Sequence, residues 1–200
     1  MLRRLILTLG VLMAVAAPAM AQTTAADDGG KTGFAIITPK GYVTVPADNA
    51  WKVLAVQTKM PVAILAFALP DDSADGSADS VTNLAVTLND TATPEGQRSF
   101  AVYGGAVDGQ VPVKESHGAW TVYSQDSTYD GTDYTVIDAT AHIADVDVGA
   151  RISWPHLADH PAGYDDAMRT LFLAELDDIG GDLGAFPMPQ GAVARRPAGQ

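Results

Sequence analysis

The chain has 200 residues, 24 Asp+Glu against 12 Lys+Arg, four His and no Cys, for a formal net charge of -12. The missing cysteine excludes a disulfide scaffold, a CxxC zinc site, a thiol nucleophile and a lipid-modified amino-terminal cysteine. The acidity speaks against a general nucleic-acid binder, and 47% hydrophobic with 18% charged residues speaks against a disordered polar chain.

Met1 to Ala21 reads as a secretory signal peptide. Arg3 and Arg4 supply the positive end, Leu5 to Ala17 the apolar run, and Ala19-Met20-Ala21 a small-x-small cleavage site. The apolar run is shorter than the ~20 residues of a membrane span. Cleavage would leave 24 acids against ten bases, a net -14, on an exported chain without a membrane span. Together with the missing cysteine, the cleavage site points to a bacterial periplasm, which permits disulfides without requiring them. Burial alone must then stabilise the fold, and the length suffices for that.

Residues 22–31 (QTTAADDGGK) show no periodicity and read as a linker. Gly41 to Val45 alternates before Pro46, Trp51 to Gln57 (WKVLAVQ) is β-branched and apolar, and Val62 to Leu69 (VAILAFAL) is almost continuously apolar. That last pattern fits a strand covered on both faces. Asn83 to Leu88 alternates with Leu84, Val86 and Leu88 on one face. Thr93 to Tyr103 reads as a short helix, capped by Thr93 and opened by Pro94 and Glu95, with Gly96 as its weak point. Ala119 to Gln125 and Thr132 to Ile143 flank a turn at Asp130-Gly131, and Val146, Val148, Ala150, Ile152 and Trp154 recur at period two. Tyr164, Met168, Leu171, Phe172, Leu176 and Ile179 recur at helical spacing, predicting a helix from about Pro161 to Ile179 stopped by Gly180-Gly181. Residues 184–200, with Pro187, Pro189 and Pro197, read as a flexible tail.

The short connections among the later strands favour antiparallel pairing. The expectation is one α+β domain over 32–183: an antiparallel sheet of about six to seven strands, with a long C-terminal helix and a short middle helix packed on it. Gly41 to Pro46 followed by Trp51, Phe67-Ala-Leu-Pro70 with Asn83 to Val86, and Ala150 to Trp154 followed by a helix with Phe172-Leu173 together resemble the PsbP-type fold of photosystem extrinsic subunits and their bacterial periplasmic relatives. That resemblance implies a binding or assembly fold and carries no catalytic residues over.

Several clusters invite a chemical reading. In the segment 71–82 (DDSADGSADSVT), Asp71, Ser73, Asp75, Gly76 and Asp79 hold the first, third, fifth, sixth and ninth positions of a calcium loop. Thr82 stands where a bidentate Glu is expected, and strands flank the segment, so a solvated acidic loop is the simpler reading. His156 and His160 with Asp159 could meet a zinc ion, yet Pro155 and Pro161 argue for a plain loop before the helix. Asp138, Thr140 and His142 share one face of a strand, with Arg151 and Ser153 expected opposite. A hydrolase would use His142 and Asp138 with a serine from elsewhere. No G-x-S-x-G or S-x-x-K motif supports that, and a polar sheet face fits the pattern better.

Gly29-Gly30 and Gly104-Gly105 are isolated pairs, and no G-x-G-x-x-G or P-loop suggests a nucleotide. Asn89-Asp90-Thr91 matches a glycosylation acceptor that matters only in a eukaryotic secretory path. Trp51, Trp120 and Trp154 read as core residues before pocket residues. The expected function is therefore an exported, non-enzymatic periplasmic protein that binds a protein or small ligand and carries no cofactor. The alternatives are the hydrolase, a calcium-responsive module, and an immunity or inhibitor protein whose charge attracts a basic periplasmic toxin.

Overall fold

The computed structural model describes residues 23–24, 31–48, 50–69, 82–106, 109–158 and 160–184. The expected signal peptide, the Gly29-Gly30 pair, the calcium-loop positions Asp71 to Asp79, Asp159, and the tail from residue 185 onward lie outside the described residues.

In chain order the elements are β1 (Thr23–Thr24), β2 (Lys31–Ile37), β3 (Gly41–Asp48), β4 (Lys52–Gln57), β5 (Val62–Leu69), β6 (Thr82–Asn89), α1 (Pro94–Phe100), β7 (Val113–His117), β8 (Trp120–Tyr129), β9 (Thr132–Ile143), β10 (Val146–Pro155), α2 (Tyr164–Asp178) and β11 (Gly180–Leu183). The α+β class holds, but with two antiparallel sheets where one was expected. Seven strands form the larger, in the order β4-β5-β6-β10-β9-β8-β7, and four form the smaller, in the order β1-β2-β3-β11. Gly41 to Val45, expected in the main sheet, belongs to the smaller one. Its place is taken by β7, a charged edge strand with no apolar alternation to announce it.

The segment read as a linker also carries structure. Thr23 and Thr24 pair with Phe34 and Gly33 of β2. In β2 itself, Phe34 and Ile36 alternate into the core.

One core cluster joins the sheets. Phe34, Ile36, Val43 and Val45 of the smaller sheet pack with Leu65, Phe67, Val86, Ile137, Ile152 and Trp154 of the larger one and with Phe172 and Leu176 of α2. The period-two reading of β10 is borne out, since Val146, Val148, Ala150, Ile152 and Trp154 are all buried. The alternate residues, Asp147, Gly149, Arg151 and Ser153, face the other side of the sheet. There α1 and the turn after it cover strands β5, β6 and β10.

Local chemistry explains the turns. Asp130 and Gly131 both take positive φ, 49° and 84°, closing the β8–β9 hairpin with the twist two-residue loops require. Thr93 caps α1 by accepting from the Gly96 amide at 3.1 Å, and Pro94 opens the helix. Gly96 is there for space: a Cβ would lie 2.1 Å from the Asp90 carbonyl oxygen.

Two expectations at α2 are corrected. The helix starts at Tyr164 rather than Pro161, because Gly163 takes φ 84° at the N-cap and Pro161 lies in the preceding turn. Nor do Gly180-Gly181 provide its stop, which comes before them at Asp178. Ile179 is already extended, and the glycines run on as β11 beside β3. Gly181 is required by that approach, since a Cβ would meet the Tyr42 carbonyl oxygen at 2.4 Å.

Candidate functional site

The three tryptophans are buried, as expected of core residues, and each indole N–H is spent on α2. Trp154 donates to Asp165 Oδ1 at 2.7 Å in the first turn. Trp51 donates to Glu175 Oε1 at 3.0 Å, and Trp120 to the Leu176 carbonyl at 3.1 Å, in the last turn. The helix is thus held at both ends by strands β8 and β10 and by the residue preceding β4. Arg169 adds a hydrogen bond to Ser124 at 3.1 Å and an ion pair with Glu115.

The opposite face of the large sheet is polar, as the alternation of Asp138, Thr140 and His142 predicted. Register pairs Arg151 with Asp138, Asp147 with His142 and Ser153 with Val136. Asp138 is fully buried and receives Arg151 Nε at 2.6 Å, Arg151 Nη2 at 2.9 Å and the Gly104 amide at 2.9 Å. His142 is exposed and takes Asp147 Oδ1 as its partner at 2.9 Å. Asp147 also accepts from Thr91 Oγ1 at 2.5 Å. The pair Asp138 and His142 therefore shares a face while each side chain is held by a different partner. Burial lowers the proton affinity of Arg151, but the hydrogen bonds and charge of Asp138, with Tyr103 adding, more than restore it, so the guanidinium titrates above its ordinary value.

Sequence reasoning missed the continuation of this network. Asn89 Nδ2 donates to Thr87 Oγ1 at 3.0 Å, and Thr87 donates to the Tyr103 hydroxyl at 2.9 Å. Tyr103 lies over Gly149, where a Cβ would meet its ring at 2.3 Å. Burial raises the Tyr103 phenol above its ordinary value, with the Thr87 hydrogen bond and Arg151 opposing and Asp138 reinforcing. Asn89, the acceptor of the glycosylation match, is fully buried with its amide nitrogen on Thr87 and the Asp147 carbonyl, so the folded protein does not present it.

A cavity of about 420 Å³ lies where β10 gives way to α2, lined by His156, Leu157 and residues 160–166. The loop expected around His156 and His160 is present. His156 Nε2 sits 2.7 Å from Thr135 Oγ1, and His160 stacks on Tyr164 with ring centroids 3.8 Å apart. Among the described residues, no group of three His, Asp or Glu side chains could hold a metal ion.

The remaining feature is β4, one edge of the seven-stranded sheet. All six of its residues are exposed, including Val53 at 45%, Leu54 at 54% and Val56 at 39%. Its register on β5 shifts between Val53 and Ala55, leaving Leu54 as a bulge. Val53 lies opposite Phe67 and Val56 opposite Leu65, so the bulge puts both valines on the core-side face, three positions apart. Sequence reading found this strand but not its edge position, although the flanking Lys52 and Lys59 are the composition edges favour. The opposite edge, β7, carries Lys114, Glu115 and His117, and its Glu115 and His117 are tied to α2 through Arg169 and Asp177.

Among the described residues, no helix is long and apolar enough to cross a membrane. Compared with known proteins, the chain matches no family model and no curated protein.

Proposed function

We propose that the chain is an exported binding or assembly protein of PsbP-like type that acts without catalysis, with β4 as its contact surface. One observation carries this reading: a six-residue edge strand exposes three large apolar side chains and, among the described residues, has no strand paired on its outer side. Such edges template further strand pairing, and here the bulge at Leu54 and the two lysines leave Val53, Leu54 and Val56 uncovered. The arrangement of the polar face fits the same reading, since Asp138 is saturated by Arg151 and Gly104 while His142 is engaged by Asp147. The signal-peptide pattern of Met1 to Ala21 supports the export part of this reading.

A photocrosslinking residue at Leu54, introduced in the cell that makes the protein, tests the proposal. A discrete adduct is expected, lost when Val53 and Val56 are replaced by Lys. Adducts absent at Leu54, or unchanged by those replacements, overturn it.

A further inference from the structure

We infer that β4 takes an extended polypeptide segment whose apolar positions are flanked by carboxylates, added as an eighth strand to the large sheet. The inference rests on the reading of β4 as the contact surface and names the partner's chemistry. Its ground is the local charge. Between Asp48 and Asp71 the chain has Lys52 and Lys59 and no acidic residue. Both lysines are exposed, and neither forms an ion pair among the described residues. Val53, Leu54 and Val56 thus form an apolar strip with a cation at each end.

Other occupants fit that strip less well. Two copies pairing antiparallel through β4 would bring the lysine-bearing ends of one strand against those of the other, and like charges on facing strands oppose pairing. Residues 185–200 of the same chain carry Arg195 and Arg196 and no acid, so their charge has the wrong sign as well. An acidic, apolar strand from another protein meets both requirements. Its backbone completes the edge, its apolar side chains cover the valines, and its carboxylates meet the lysines.

The test uses the full chain and two capped peptides with one alternating valine–threonine core. One is flanked by aspartates and the other by lysines. Hydrogen exchange of the amides over residues 52–57 reports the site, and a titration reports affinity. The aspartate-flanked peptide should slow exchange in β4 and bind about threefold to tenfold tighter than its counterpart near 0.1 M salt, a gap that closes near 1 M. In the double variant Lys52→Glu, Lys59→Glu the order of the two peptides should reverse. Equal protection by both peptides overturns the acidic partner but leaves β4 as the surface. Protection by neither overturns both readings. A concentration-dependent dimer that protects β4 without peptide assigns the edge to a second copy and also overturns the inference.

Discussion

Trp51 and Glu175 stand 124 positions apart in the chain, yet the indole N–H donates to the carboxylate at 3.0 Å within the core. The bond fastens the residue that leads into the exposed edge strand to the last turn of α2. Glu175 is itself buried, and truncating it leaves a buried donor behind. Glu175→Ala should lower unfolding free energy by about 1–3 kcal/mol, and Glu175→Gln, which keeps an acceptor oxygen, by less. Denaturant titration separates the two; equal losses would mean that the Trp51 bond contributes nothing.

Asp138 and Arg151 make a second, stronger test. The carboxylate is fully buried and takes two guanidinium bonds and a backbone amide. Asp138→Ala should cost about 3–5 kcal/mol, because the Arg151 charge remains without its partner. Replacing both residues by apolar ones of similar volume should recover much of that loss. A double variant as unstable as the single one would contradict this account.

Tyr103 predicts a pH dependence. Its folded-state pKa is raised, chiefly by burial, so the native state holds the phenol proton more tightly than the unfolded chain does. The corresponding stability is fully present below the unfolded value of about 10 and is lost as pH rises through the higher folded value. Tyr103→Phe should cost about 1 kcal/mol near neutrality, through the Thr87 hydrogen bond. It should also flatten the fall in stability above about pH 10. Urea midpoints for the two proteins at about pH 8 and about pH 11 decide it.

Gly96→Ala reverses the usual helix ranking. In an exposed helix the change favours folding by about 1 kcal/mol. Here the added carbon would sit 2.1 Å from the Asp90 carbonyl oxygen, so the variant should instead lose about 1–3 kcal/mol. A rise in melting temperature would show that α1 can shift away at little cost.

Much of the large sheet was legible because its inner strands carry plain periods. Val146 to Trp154 alternates, Val62 to Leu69 is apolar throughout, and Asp130-Gly131 marks its hairpin. Cross-strand register then put Arg151 beside Asp138. Edge positions hide because an edge strand need not carry a pattern of its own: β7 was missed, and β4 was found without its place at the edge. Val113 to His117 is charged, and the bulge at Leu54 breaks alternation in β4. The small sheet was illegible for another reason: its last strand, β11, is Gly180-Gly181-Asp182-Leu183, which reads as a helix stop. Nothing local announces that it pairs with β3. The role of the tryptophans was half visible. Their burial follows from residue type, but their shared acceptor helix depends on contacts between distant parts of the chain.

The order in which those distant pairings close has a consequence for biogenesis. Strands β4 to β6 and β7 to β10 are two meanders of neighbouring hairpins, and only the β6–β10 pairing unites them. The smaller sheet likewise gains its last strand from Gly180–Leu183. The uniting strand, the helix that takes all three indoles and the closing strand all lie between Val146 and Leu183. A chain emerging from its N-terminus can form hairpins early, but long-range closure waits for its final quarter. Until then both sheets stay open, and all three indoles wait for their acceptors on α2.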